Sequence, residues 1–131
     1  MKSLLIFYLV VLNIFQIALT CTLSGEVNVL VINNLPSSTP PLKLHCASGD
    51  HELGFHTLKV NEQFSWKFCM GLRTLYFCHL WWGSKQKGFI VYKTRLFQKH
   101  FFYYFWAAKT DGIYLYHTDN ATFYTQKIDW E

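Results

Sequence analysis

The chain has 131 residues, a formal charge of +4, and 51% hydrophobic and 19% aromatic residues against 15% charged ones. That length bounds one compact core rather than two, and the apolar content excludes a disordered chain. The lysines are scattered rather than blocked, which argues against dedicated binding to nucleic-acid phosphates and for a soluble secreted protein.

Met1-Lys2 gives a positive start, and Leu4 to Leu12 gives a short apolar core, the pattern of a secretory signal peptide. Asn13 and Gln16 interrupt the run, leaving it short of the roughly 20 residues needed to span a bilayer, so no stable membrane insertion is expected after cleavage. Small residues allow cleavage after Thr20 or after Ser24. The second is preferred, which assigns residues 1–24 to the signal peptide and 25–131 to one extracellular domain. Secretion permits disulfides. Of Cys21, Cys46, Cys69 and Cys78, cleavage after Ser24 removes the first and leaves an odd thiol, whereas cleavage after Thr20 keeps all four.

From Val27 onward the periodicity is that of strands broken by Gly, Asn, Asp and Pro. Val27 to Asn33 is β-branched and stops at Asn34 to Pro41, where prolines cannot donate to a ladder. Leu42, Leu44 and Cys46 alternate with Lys43 and His45, so Cys46 turns inward and His45 outward. A polar turn at Ser48 to His51 leads to a short second run, Leu53 to Leu58. Phe64, Trp66 and Phe68 alternate cleanly with polar neighbours. Thr74 to Trp82 is apolar on both faces and reads as a central strand, Gly83 to Gly88 as a basic turn, and Phe89 to Lys93 as the next strand. Phe101 to Trp106, Ile113 to Tyr116 and Thr122 to Ile128 complete the set, with Thr110-Asp111-Gly112 as a turn. About eight strands without intervening helices predict an all-β fold, a small antiparallel β-sandwich. Asn120-Ala121-Thr122 is a glycosylation sequon in a polar turn.

Three chemistries are weighed on the residues themselves. His45, Cys46, His51 and His56 are the right types for zinc, but neighbouring strand residues point to opposite faces, so no metal or other cofactor is expected. A cysteine nucleophile needs a lowered pKa and a base in reach, and nothing in the pattern supplies either, so no catalytic residue is assigned. The aromatics read as packed faces of the sandwich, with one exposed cluster left for a protein partner rather than for nucleic acid.

The order of Val29 to Leu35, Leu44-His45-Cys46-Ala47-Ser48-Gly49-Asp50, Glu52 to His56, Phe64 to Phe68, Thr74 to Trp82, Phe89 to Tyr92, Phe105-Trp106 and Lys109 to Tyr114 resembles the plant self-incompatibility S1 family, the S-protein homologues. The resemblance covers nearly the whole mature chain. It implies a small secreted β-sandwich, a non-enzymatic extracellular ligand for a cell-surface protein receptor, in rejection of self pollen or other cell-cell recognition. A secreted antimicrobial or membrane-active protein is the alternative class. Cys46 and Cys78 match family positions, but aromatics stand where the partner cysteines are expected, at Phe101 to Tyr104 and after Asp111-Gly112. Cys69 stands where an ordinary strand residue is usual. A bridge from Cys46 to Cys69 or Cys78 is the expectation that follows. Specificity in such a ligand belongs to loops, and Ser84, Lys85, Gln86 and Lys87 are singled out as the partner-binding loop, alongside Asn34 to Pro41, Ser48 to Glu52, Met70 to Arg73 and His117 to Ala121.

Overall fold

The structure is a computed structural model that describes residues 2–11, 21, 25–95, 101–118 and 123–131. Residues 2–11 form an exposed helix, and among the described residues no helix is long and apolar enough to cross a membrane. The strands are β1 (Glu26–Asn33), β2 (Leu42–Ser48), β3 (Glu52–Leu58), β4 (Gln63–Cys69), β5 (Leu75–Trp82), β6 (Lys85–Lys93), β7 (Tyr103–Lys109), β8 (Gly112–Thr118) and β9 (Phe123–Ile128). They form a five-stranded sheet, β4-β1-β7-β8-β9, and a four-stranded sheet, β3-β2-β5-β6.

All pairings are antiparallel except that of β1 with β7, which run parallel from Asn28 opposite Tyr103 to Asn33 opposite Ala108. Parallel neighbours cannot be joined by a tight turn. Here the excursion through β2 to β6 supplies the crossover.

Period-two alternation builds the core. β1 turns Val27, Val29 and Val31 inward, β2 turns Leu42, Leu44 and Cys46, and β5 turns Tyr76, Cys78 and Leu80. Each such aliphatic side chain, fully buried, contributes about 1.5–3 kcal/mol. Between the sheets Phe68 packs on Tyr76 and Tyr92 at centroid distances of 4.6 and 5.0 Å. Trp106 packs on Phe89 at 4.8 Å and donates its indole N–H across the sandwich to the Val91 carbonyl at 3.3 Å.

One buried polar side chain does structural work that the strand pattern does not announce. Asn33, at the end of β1, donates from Nδ2 to the Leu58 carbonyl, and its Oδ1 accepts the Leu35 N–H, both at 2.9 Å. Its amide thus ties the exit of β1 to the end of β3, where the chain crosses between sheets. Asn61 sits in that crossing with φ of 68°, a left-handed conformation that asparagine tolerates.

Both cysteine pairs of the described chain are closed. Cys46 and Cys78 are register partners on β2 and β5 and form an intra-sheet bridge buried in the core. Cys69, the other partner considered from the sequence, is bonded instead to Cys21. With Cys21 present, no free cysteine remains among the described residues.

The basic turn from Gly83 to Gly88 also needs correction. Trp82 pairs directly with Lys85, so only Gly83 and Ser84 form the connection. Gly83 has φ of 56° and Ser84 lies on the ordinary side, the pattern of a tight II′ hairpin, which glycine at the first position makes accessible. Lys85, Gln86 and Lys87 consequently belong to strand β6 rather than to a loop.

Candidate functional site

The outward face of the four-stranded sheet carries a continuous row of rings. The register places His45 opposite both Phe55 on β3 and His79 on β5, while Lys43 lies opposite Trp81. Because strand side chains alternate, the odd-numbered residues of β5 that point away from the core are Phe77, His79 and Trp81. His45 stacks on Phe55 at 4.4 Å and His79 on Trp81 at 4.3 Å. Phe55 and Trp81 are near-parallel at 6.2 Å and bridge over β2. Phe55 is 74% exposed, the strongest exposure of any aromatic in the domain among the described residues.

Local sequence fixes these orientations. Gly88 lies opposite His79, and a Cβ there would stand 3.1 Å from the imidazole Nδ1, so the glycine leaves the ring its space. Gln86 then holds His79 Nε2 at 2.9 Å. On the other side Glu52 Oε1 accepts both the Gly54 N–H at 3.0 Å and a bond from His45 Nε2 at 2.5 Å. These two contacts, the backbone one foremost, hold the Glu52 carboxyl below the usual carboxylate range. Gly54 makes the first possible through its φ of 84°, which other residues rarely adopt.

A groove of about 650 Å³ opens beside this row, lined by Pro40, Pro41, Phe55 and Trp81, with Gly83 and Lys43 also among its lining residues. No carboxylate lines it, and Lys43 makes no ion pair among the described residues. The groove offers ring and proline surface together with one cation that is unpaired among the described residues.

The residues singled out from the sequence do not converge. Pleating sends Gln86 outward beside Trp81, while Lys85 and Lys87 take the side of Trp82 and Leu80. Lys85 Nζ lies 5.5 Å over the Trp82 ring, and Lys87 Nζ is paired with the Glu131 carboxylate at 2.5 Å. Ser84 stays exposed at the turn. The Glu131 backbone exchanges two hydrogen bonds with Gln86, covering that part of the β6 edge. Of the broader loops, Asn34 to Pro41 supplies the groove's proline wall, whereas His117 is a buried residue of β8. Asn120 lies outside the described residues, as do Thr20 and Ser24.

The four residues weighed for zinc are also dispersed. Cys46 faces the core in its disulfide, His45 faces out to Glu52, His51 sits in the β2–β3 turn, and His56 bonds the Leu53 carbonyl at 2.7 Å while stacking on Phe64 at 4.0 Å. No group of three or more metal-ligating side chains occurs among the described residues. What sequence reasoning missed is the outward ring row itself. Its signal was the β5 run, apolar at both parities: one parity fills the core, which leaves the other on the surface.

The fold and this face define a small disulfide-closed β-sandwich with a row of aromatic and imidazole rings on the outside of its four-stranded sheet. The family model of the plant self-incompatibility protein S1 matches residues 28–130. S-protein homolog 21 of Arabidopsis thaliana is 31% identical over 135 residues, covering 95% of this chain and 96% of that protein. S-protein homolog 24 of the same plant is 41% identical over 81 residues, 60% of this chain, and the match spans only 54% of that relative's length. S-protein homolog 5 is 34% identical over 86 residues, 64% of this chain and 66% of that relative. The chain belongs to the plant self-incompatibility S1 family.

Proposed function

We propose that this family member is a secreted, non-enzymatic ligand that binds a cell-surface protein receptor, in rejection of self pollen or in another form of cell-cell recognition. The observation that carries the reading is the exposed aromatic groove on a doubly disulfide-bonded sandwich. A rigid frame loses little conformational freedom on docking, and aromatic anchors in a desolvated pocket are where binding energy concentrates. The Cys21–Cys69 bond supports signal cleavage after Thr20, which retains Cys21, over cleavage after Ser24. Disulfides of this loop length contribute about 3–4 kcal/mol in the chain-entropy picture, as expected of a small domain outside the cell. Glycosylation at Asn120 belongs to the same proposal.

The test is binding of the labelled mature protein to intact plant cells. Saturable binding that unlabelled protein competes away, and that protease treatment of the cell surface abolishes, is the expected result. Binding that survives protease treatment and is reproduced on lipid vesicles would replace this reading with the membrane-active one.

A further inference from the structure

We infer that the groove beside Phe55 and Trp81 takes an extended, proline-containing peptide segment of its partner that carries an acidic side chain next to the prolines. The inference rests on the ligand reading above and names the chemistry of the docking segment.

Three observations lead to it. First, the lining is rich in flat apolar groups: two near-parallel rings whose centroids stand 6.2 Å apart, together with Pro40 and Pro41. Polyproline II segments dock on such aromatic-lined grooves because they arrive already ordered, without internal hydrogen bonds. Two residues of that helix rise about 6 Å, which matches the spacing of the rings. Second, Lys43 lies opposite Trp81 in the register, is exposed, and has no ion-pair partner among the described residues, while no carboxylate lines the groove. A carboxylate on the incoming segment would meet an unopposed cation there, and a lysine or arginine would not be compensated. Third, the lining is poor in the amides and acids that grip sugar hydroxyls: Thr57 is its one hydroxyl side chain, and the His56 ring is already engaged with Leu53 and Phe64. That composition favours a peptide over an acidic glycan.

The five-stranded sheet provides a control. It carries a smaller groove of about 390 Å³ in which Phe105, Tyr103 and the cation Lys67 stand beside the polar Asn28 and Ser65, with no proline in the lining.

The experiment uses the full mature protein and four fluorescent probes: a peptide of Pro-Pro-Glu repeats, one of Pro-Pro-Lys repeats, one of Gly-Gly-Glu repeats, and oligogalacturonate. The Pro-Pro-Glu probe should bind saturably, with the other three weaker by about tenfold or more. Phe55→Ala and Trp81→Ala should each weaken it by about tenfold, Lys43→Glu should shift preference toward Pro-Pro-Lys, and Phe105→Ala should change nothing. Absence of Pro-Pro-Glu binding, equal binding of Gly-Gly-Glu, or indifference to both aromatic substitutions would overturn the inference. Preferential binding of oligogalacturonate, lost in Phe55→Ala, would overturn it in favour of a glycan. Loss of probe binding in Phe55→Ala with cell binding intact would overturn the groove as the docking site and leave the ligand reading standing. Specific probe binding with no cell binding by the native protein would uphold the groove and overturn the ligand reading.

Discussion

The two outward faces of the sandwich are built from similar residues and differ in what they leave unsatisfied. On the five-stranded sheet Lys109 donates to the Tyr116 hydroxyl at 2.8 Å and lies over the Tyr114 and Tyr116 rings at 4.9 and 5.4 Å. Tyr114 in turn donates to Asp111 at 2.6 Å, and Lys127 stands 3.8 Å from the same carboxylate. The Tyr114 bond holds Asp111 below its ordinary value, and the Tyr116 bond raises the Lys109 ammonium. Around Asp111, Tyr114 and Tyr116 that face is a closed network of rings and charges, while Lys67, Tyr103 and Phe105 line its smaller groove. On the four-stranded sheet the histidines are pinned by Glu52 and Gln86, but Phe55 and Lys43 remain open to solvent. Aromatic content alone therefore does not mark a binding surface. What sets the four-stranded face apart is a larger groove, about 650 Å³ against about 390 Å³, with a proline wall beside its rings and with Lys43 making no ion pair among the described residues.

The largest effect should separate the inside of a strand from its outside. Trp106 is 3% exposed and its neighbour Phe105 is 43% exposed. Trp106→Ala should cost about 3–5 kcal/mol in denaturant unfolding, and Phe105→Ala less than about 1 kcal/mol. Next comes the support of the closed face. Gly112 has φ of 157°, and a Cβ there would stand 2.7 Å from the Ile128 carbonyl oxygen, backbone that cannot swing aside. Gly112→Ala should therefore cost about 1–3 kcal/mol by the same measurement. Opening the network itself is milder: Tyr116→Phe removes the Lys109 bond and should cost about 1 kcal/mol.

Protonation adds a further test. Burial lowers the His117 pKa from its ordinary 6.5, so the unfolded chain binds its proton first as pH falls. Stability from this group is present above about pH 6.5 and is lost below it, until the folded pKa is also passed. Melting temperature should decline as pH falls below about 6.5, and His117→Phe should flatten that decline. The smallest effect is expected on the open face, where Phe55→Ala should shift stability by no more than about 0.5 kcal/mol.

Much of this was legible in the residues. Alternation in Val27 to Asn33, in Leu42 to Cys46 and in Phe64 to Phe68 reports faces directly, because the strand period is two. Sheet order was not, since the parallel contact of β1 with β7 joins residues far apart in the chain. The Cys46–Cys78 bridge depends on that same long-range order, which places β2 beside β5 rather than beside β3 alone. The β5–β6 connection was overestimated because Lys85, Gln86 and Lys87 look like turn residues. Their place in β6 comes from a tight turn at Gly83-Ser84 and from pairing with Leu80 to Trp82. The outward rings of β5 were hidden because a run apolar at both parities does not reveal which parity the second sheet will cover.

The most direct measurement compares the two faces on one footing: binding of the native protein, the double variant Phe55→Ala/Trp81→Ala, and Phe105→Ala to intact plant cells, with melting temperatures recorded alongside. If the four-stranded sheet is the recognition face, the double variant stays folded and loses cell binding by about tenfold or more, while Phe105→Ala binds as the native protein does. Native-like binding by a folded double variant, or an equal loss in Phe105→Ala, would contradict it.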